Sequence, residues 1–415
     1  MDAPPTKDDM VLKAPNASVQ WPGNCVRVAQ RLTDRVRQDT VRCNALTMNR
    51  GGHLVWHCAI LSVATSLKGG RPMARLYCGI DLHATSMQVC IIGPDLVKVL
   101  DRTIRNDLPS VLSVLRPFGP DLSIAVESTF NWYWFVDGLQ DAGYDVHLAH
   151  TLGLFLITRA KVKTDRRDAY ALARLLATGM LPEAYIYPKE TRPIRDLVRQ
   201  RTRLVAARAQ GYAALRLRLY QHGIHDHSRN DTKGWALQDI EEVTGHPIVR
   251  MLCGQELERI ALFSVQIAAI EDRILEAARP ESGYLRLTAL PGVGQALSAI
   301  IFYETGRVSR FPSARHYSSY CRLVPGTADS GGSSHRGRGA KQGNPHLKAA
   351  FTQAAQCAVR HYPTMKVFYE RHAAHHPGRG SKLIATNILG HKLALAVYHI
   401  LKEGIDYDEN RLLTA

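Results

Sequence analysis

The stretch "RLYCGIDLHATSMQVCIIGPD", Arg75 to Asp95, decides the fold. Two apolar, strand-forming runs flank a short polar turn near Ala84–Ser86, so it reads as two strands in quick succession. One residue is out of place: Asp81 lies inside the first run, where an acid is expensive to bury unless it is paired or metal-bound. The same feature recurs in "LSIAVEST" (122–129), a buried-strand pattern ending in Glu127. "GYDVHLAH" (143–150) is another strand, after a helical stretch over 131–142. "KVKTDRRDAYALARLL" (161–176) begins basic and polar and turns into an apolar helix that runs to about Gly179. Strands interleaved with helices predict an α/β layer structure.

Asp165 and Asp168 stand at the entrance of that last helix. Two readings compete. As capping acids they would accept the free backbone N–H groups of the first turn and suit the helix dipole, Asp165 and Asp168 forming a loose capping box. As metal ligands they would share one helix face, three residues apart, and need other acids from elsewhere in the fold. Asp81 and Glu127 are those acids. Carboxylates on two strands and a helix can converge on one edge of a sheet and hold Mg²⁺ with oxygen ligands beside a phosphodiester. Two such ions would activate the attacking oxygen and stabilise the leaving one.

The totals point the same way. The 415 residues allow two or three domains, and the formal net charge is +16. Such an excess predicts attraction to a polyanion, most often nucleic acid, with an anionic membrane surface as the competitor. No run of eighteen apolar residues is evident, so no membrane partner is expected. The eight cysteines form no CxxC pair and no zinc spacing, as expected of free thiols in a reducing cytosol.

Residues 1–72 mix Pro, Asn, Asp and Arg without a sustained period and are expected to be a disordered or non-native extension, with Met73 as the true start. Within them "HLVWHCAILSVATSL" (53–67) is apolar but too short to span a bilayer, and faintly resembles a signal core if translation began at Met48. From about 190 the pattern is helical. "IRDLVRQRTRLVAARAQGYAALRLRLY" (194–220) and "LERIALFSVQIAAIEDRILEAA" (257–278) carry apolar stripes on either side of a polar connection, 225–234. They predict an antiparallel or coiled-coil arm over 190–280, or an ordinary helical subdomain.

A mostly helical region follows over 284–400, with a tail over 401–415. In it "LTALPGVGQALSAIIFYETG" (287–306) has the helix–hairpin–helix pattern, whose turn at Gly292 and Gly294 would aim backbone N–H groups at a phosphate; a plain turn between helices looks the same. Between Arg307 and Lys348 the only acid is Asp329, while Arg322, Arg336, Arg338 and Lys341 lie among glycines and serines. Such a segment can lie against a phosphate backbone.

This ordered set resembles the transposases of the insertion-sequence one-ten family, the bridge-RNA-guided DNA recombinases. The likeness runs from about Ala74 to about Val397. "GIDLH", "AVEST" and "KTDRRDAYALARLL" match the family's four-acid DEDD set in an RNase H-like, RuvC-like domain (74–185), with Asp81, Glu127, Asp165 and Asp168 as its acids. "LPGVGQALSAIIFYETGRVSRFPSARHYSSYCRLVPGTADSGG" matches its C-terminal transposase domain. The resemblance implies a serine nucleophile that forms a covalent phosphoserine with DNA, assisted by the Mg²⁺-bearing acids of a partner subunit. By position that serine is Ser330, with Ser333 and Ser334 as rivals; a turn residue is the alternative for a Ser-Gly pair. It also implies a guide RNA that pairs with element end and target DNA, and a homo-oligomer, dimer or tetramer. The function expected is DNA strand cleavage and exchange by an insertion-sequence transposase. The rival reading is a Holliday-junction-resolvase-like nuclease that uses the four acids alone.

Overall fold

A computed structural model describes residues 75–157, 164–225, 231–325, 342–376 and 380–409, with 378 and 411, and the backbone of 327–330 and 333–336. The expectations for 1–72, for the segment 53–67 and for Arg338 and Lys341 fall outside these residues.

The first domain is built on strands β1 (Tyr77–Leu82), β2 (Ser86–Ile92) and β3 (Lys98–Arg105), helix α1 (Leu108–Leu115), strand β4 (Ser123–Glu127), helix α2 (Trp132–Asp141), strand β5 (Asp145–Ala149), and helices α3 (Thr151–Ile157) and α4 (Asp165–Ala177). The five strands form one mixed sheet in the order β3-β2-β1-β4-β5. β1 is parallel to β4, and β4 to β5, while β2 runs antiparallel to β1 and β3. This mixed sheet among many helices is consistent with an α/β nuclease-like domain.

Alternation along each strand decides which helix covers which face. Cys78, Ile80 and Leu82 of β1 and Ile124 and Val126 of β4 pack with Val111, Leu115, Phe135, Val136 and Leu139 of α1 and α2. The opposite face carries Gly79 and Asp81 of β1 and Ala125 and Glu127 of β4, and α4 lies across it. A Cβ on Gly79 would fall 2.0 Å from the Ala169 carbonyl oxygen and 2.6 Å from the Ala173 nitrogen. Backbone therefore rides directly on backbone, and only glycine permits it.

Two long helices leave this domain. α5 (Arg192–Gln221) is anchored to it by Arg192, whose guanidinium bonds Asp137 at 2.8 Å and lies over the Trp132 ring. After α6 (Leu237–Val243), α7 (Pro247–Ala278) returns along α5. Arg201 meets Glu271, Arg208 meets Ser264 and Gly211 meets Ile260, which is antiparallel pairing. α7 starts ten residues earlier than its apolar stripe suggests, with Pro247 at its first position, where proline's missing N–H costs nothing.

The rest is helical: α8 (Ser282–Leu287), α9 (Gln295–Thr305), α10 (Ala314–Tyr320), the hairpin β6 (Thr327–Ser330) and β7 (Ser333–Arg336), then α11 (Pro345–His361), α12 (Pro363–His375) and α13 (Ser381–Glu403). By length and composition α13 could cross a membrane, although Lys382, His391 and Lys392 interrupt it and it contains no unbroken apolar run of eighteen residues. Leu389, Leu393 and Val397 on it are, however, buried in the core shared by these helices. The expected boundary at 401 falls within α13, and the residues after it are docked, with Tyr407 packed on the same core and Asp406 paired to Arg286.

A buried acid ties this region to the arm. Glu304, 0% exposed on α9, accepts from Arg195 and Arg199 of α5 and from the side-chain amide of Asn344. Burial opposes its charge, but these donors win and hold the carboxyl below the usual range.

Candidate functional site

Asp81 is the last residue but one of β1, and Glu127 is the last of the adjacent parallel strand β4. The register pairs Ile80 with Val126, so the next residue on each strand is an acid on the α4 face. α4 runs back along β1, because Gly79 lies under Ala169 and Ala173. Its N-terminus therefore sits at the carboxyl end of β1, above Asp81. That places Asp165 and Asp168 at the same end as the strand acids.

Neither helical acid is the cap. Thr164 holds the N-cap position in extended conformation, and Asp165 is the first helical residue. The capping-box reading thus yields to a register shifted by one residue. The Asp165 carboxylate instead faces His83, at 3.4 Å from its Nε2, and the same nitrogen lies 3.3 Å from the Asp81 carboxylate. Asp81, His83 and Asp165 each offer a ligand atom within 4.8 Å of the others.

Asp81 reports the crowding. It is only 5% exposed, and its pKa is raised from 3.8 to about 6. Burial is the largest cause. Glu127, Asp168 and Asp165 add to the rise, and His83 opposes it. All four sequence-derived acids therefore share one electrostatic neighbourhood. The histidine was missed, although the signal was present: in "GIDLH" it lies two residues after Asp81, on the same side of the strand direction.

The carboxylate set suits a hard divalent cation, which prefers oxygen ligands. Mutual repulsion around a buried carboxyl is what such an ion would relieve. Glu127 and Asp168 stand outside the tight trio but within electrostatic reach of Asp81.

The other candidates lie elsewhere in the chain. Ser330 is the last residue of β6 and pairs with Ser333, the first of β7, and Arg336 pairs with Thr327. The base of this segment is pinned. Arg322 has φ +56 and donates from Nε to the Gly343 carbonyl at 2.9 Å, and the Asn344 N–H donates to the Tyr320 carbonyl at 2.7 Å. Arg322 thus has a structural task at the hairpin base. Gly292 is buried, and a Cβ there would meet the Ala354 carbonyl oxygen at 2.2 Å, so this glycine serves the packing of the turn on α11. Gly294 is exposed at the N-cap of α9.

Comparisons with known proteins fit this layout. Residues 78–223 match the transposase model DEDD_Tnp_IS110, and residues 284–370 match the model Transposase IS116/IS110/IS902 family. A putative transposase, y4qE, of Sinorhizobium fredii is 28% identical over 199 residues, 47% of this chain and 48% of that protein. A probable family 20 transposase of Pseudomonas aeruginosa is 23% identical over 248 residues, 58% of this chain and 72% of the relative. The insertion element IS110 43.6 kDa protein of Streptomyces coelicolor is 30% identical over 122 residues, 29% of each chain. The match to y4qE thus spans about half the length of that relative. The first matched domain covers all four clustered acids, and the second begins where the arm ends. With both in order on one chain, the protein belongs to the IS110/IS116 family of transposases.

Proposed function

We propose that this protein moves an insertion sequence by cutting and rejoining DNA strands, with a divalent cation, Mg²⁺, held by Asp81, Glu127, Asp165 and Asp168. The observation that carries the proposal is the convergence of these acids around the buried Asp81 carboxyl at the carboxyl end of β1 and β4. A cation bound there would supply positive charge to the phosphate oxygens as they gain charge. Asp81 and Glu127 are fixed by strand register, Asp165 and Asp168 by the first turn of α4, so the anionic cradle is set by the fold rather than by loops. The order β3-β2-β1-β4-β5 with β2 reversed supports an RNase H-like, RuvC-like assignment for this domain.

In this reading Ser330 is the nucleophile. Its Oγ forms an ester bond to phosphorus as the bond to a DNA oxygen breaks. The hydroxyl proton leaves to a nearby base, and the departing DNA oxygen takes up a proton. Arg336, Arg338 and Lys341 follow on the same segment as phosphate-neutralising groups, and Gly294 offers a helix N-terminus to the backbone. Joining two DNA ends calls for more than one active site, hence a homo-oligomer, with the antiparallel arm as a surface for pairing. A guide RNA supplies the sequence readout by base pairing. The setting is cytoplasmic.

A covalent-trapping assay tests this. Protein, Mg²⁺, donor and target DNA and the RNA flanking the element are mixed, denatured and resolved for a protein–DNA adduct. The expected result is an adduct that Ser330→Ala and Asp168→Asn both abolish. Asp81, Glu127, Asp165 and Asp168 all lie in the first domain, which favours one alternative, a resolvase-like nuclease. Cleavage that survives Ser330→Ala, with no adduct, would establish that alternative.

A further inference from the structure

One aromatic ring beside the acid cluster has no place in the core. Phe130 is 86% exposed, although its neighbours Trp132 and Phe135 in "FNWYWF" are buried. It follows Glu127 by three residues, on the loop between β4 and α2. That loop is fixed from several sides. The Thr129 N–H donates to the Glu127 carbonyl at 2.8 Å, and the Thr129 hydroxyl donates to the Asn131 side-chain oxygen at 2.8 Å. The Asn131 amide donates to the His83 carbonyl at 3.2 Å. Phe130 is thus carried between two residues bonded to the backbone of Glu127 and His83, both of which belong to the acid cluster.

The surroundings extend the same surface. Ser128 and Thr151 share a hydrogen bond of 3.1 Å, which brings the start of α3 beside the loop. On α3, Leu152 and Leu156 are also exposed. On the far side of the cluster, Arg166 and Arg167 are exposed in the first turn of α4. An apolar platform with a ring, an acid cluster and a pair of cations therefore lie together at one end of the sheet. Water solvates such a platform poorly, and a ring with two rotatable bonds on a fixed backbone loses little entropy on binding a flat partner. Nucleobases are such partners, but in a duplex their faces are already stacked.

We infer that Phe130 stacks on an unpaired base of the DNA strand whose phosphate enters the acid cluster, so that the site selects DNA that is opened at the cleavage point. This rests on the DNA-cleaving reading of the cluster and adds the substrate's local state. The loop's bonds hold the backbone that carries the ring in place before the strand arrives. A base flanking the scissile phosphate leaves its own stack and gains this one.

The test is binding, read without cleavage. Full-length protein is titrated, with Ca²⁺ in place of Mg²⁺, into a single-stranded oligonucleotide carrying 2-aminopurine and into the same sequence as a duplex. Wild type should quench the 2-aminopurine of the single strand. Phe130→Ala should lose the quenching and weaken single-strand binding by about tenfold, within the range for removing one base-stacking ring. Duplex affinity should not change. Phe130→Trp should restore both quenching and affinity. Equal single-strand binding by wild type and Phe130→Ala would overturn the inference, and so would an equal loss on both DNAs. A change in oligomeric state by sedimentation, with single-strand binding intact, would assign Phe130 to a protein interface and overturn it as well. Failure of wild type to bind either DNA would remove the DNA-cleaving reading itself, a result distinct from indifference to Phe130.

Discussion

The His83 imidazole stands between Asp81 and Asp165, with Nε2 3.3 Å from one carboxylate and 3.4 Å from the other. One ring thereby links the end of the central strand to the first turn of α4. It also lowers the pKa of Asp81, against the effect of burial and of the other acids. Replacing it with alanine should move the Asp81 midpoint above about 6. Divalent-cation affinity should fall by about tenfold, as for loss of a group that supports a metal site. Carboxyl NMR titration reads the first effect and calorimetry with Mn²⁺ the second. Unchanged values in both would remove His83 from the site.

Asp81 sets a pH dependence with a definite sign. Its folded pKa of about 6 exceeds the ordinary 3.8, so the folded state holds this proton more tightly than the unfolded chain does. The associated stability is fully present below pH 3.8 and is lost as pH rises through about 6. For a buried group and a shift of this size the loss is on the order of 2–3 kcal/mol. Thermal unfolding of metal-free protein between about pH 3.5 and 7 should show it, beside Asp81→Asn, in which it should be absent. Saturating divalent cation should offset it. Cation affinity should rise over the same interval, since the ion competes with the proton.

Gly79 is where helix meets strand, and a methyl group there has nowhere to go. Gly79→Ala places Cβ against backbone atoms of Ala169 and Ala173 that cannot swing aside. The substitution should cost about 2–4 kcal/mol and weaken cation binding, because α4 must lift and carry Asp165 and Asp168 with it. Gly234→Ala, where a Cβ meets nothing within 4 Å, is the control and should change little. Denaturant midpoints of the two variants decide the matter; a mild effect at Gly79 would mean that α4 can slide.

Glu304 should behave in the opposite sense to Asp81. Its folded pKa lies below the ordinary 4.5, so its contribution is present above pH 4.5 and is lost as pH falls through the lowered folded value. Glu304→Gln leaves the buried Arg195 without its counter-charge and should destabilise the protein by about 3–5 kcal/mol at neutral pH. Chemical denaturation measures this, and a loss below about 1 kcal/mol would show that solvent or other groups compensate Arg195.

The central strands were legible because they are apolar on both faces and the acids interrupt them. β1 and β4 needed no more than this pattern. β3 was not legible. "KVLDRTIR" is an edge strand whose exposed residues include Lys98, Arg102 and Arg105, so it lacks the apolar run that marks its neighbours. The hairpin β6–β7 was hidden for a related reason: its strands are short and made of Thr, Ser, Asp, His and Arg around two glycines. Within the candidate site, Asp81 and Glu127 were conspicuous because each breaks an apolar strand. His83 sits past the run, in polar sequence, and only the fold shows it between two acids. Glu304 gave the same local signal as Asp81, an acid in an apolar stretch. Its partners Arg195 and Asn344 lie far away in sequence, and no spacing rule reaches them.

The antiparallel pair of α5 and α7 contains two separate cores. At its base, Val198 and Ile274 belong to the large core of the C-terminal helices. Toward the tip, Leu215, Leu219, Ile240, Val249, Cys253 and Leu257 form a small core of their own. At 1.5 Å per residue a helix as long as α5 extends roughly 45 Å, so the tip is far from the base that steers it. Mechanically this is a lever with an independently folded head. A tilt of a few degrees at the Glu304 anchorage becomes a displacement of several ångströms at the tip, and the tip can open and close as its own cooperative unit while the acid cluster stays intact.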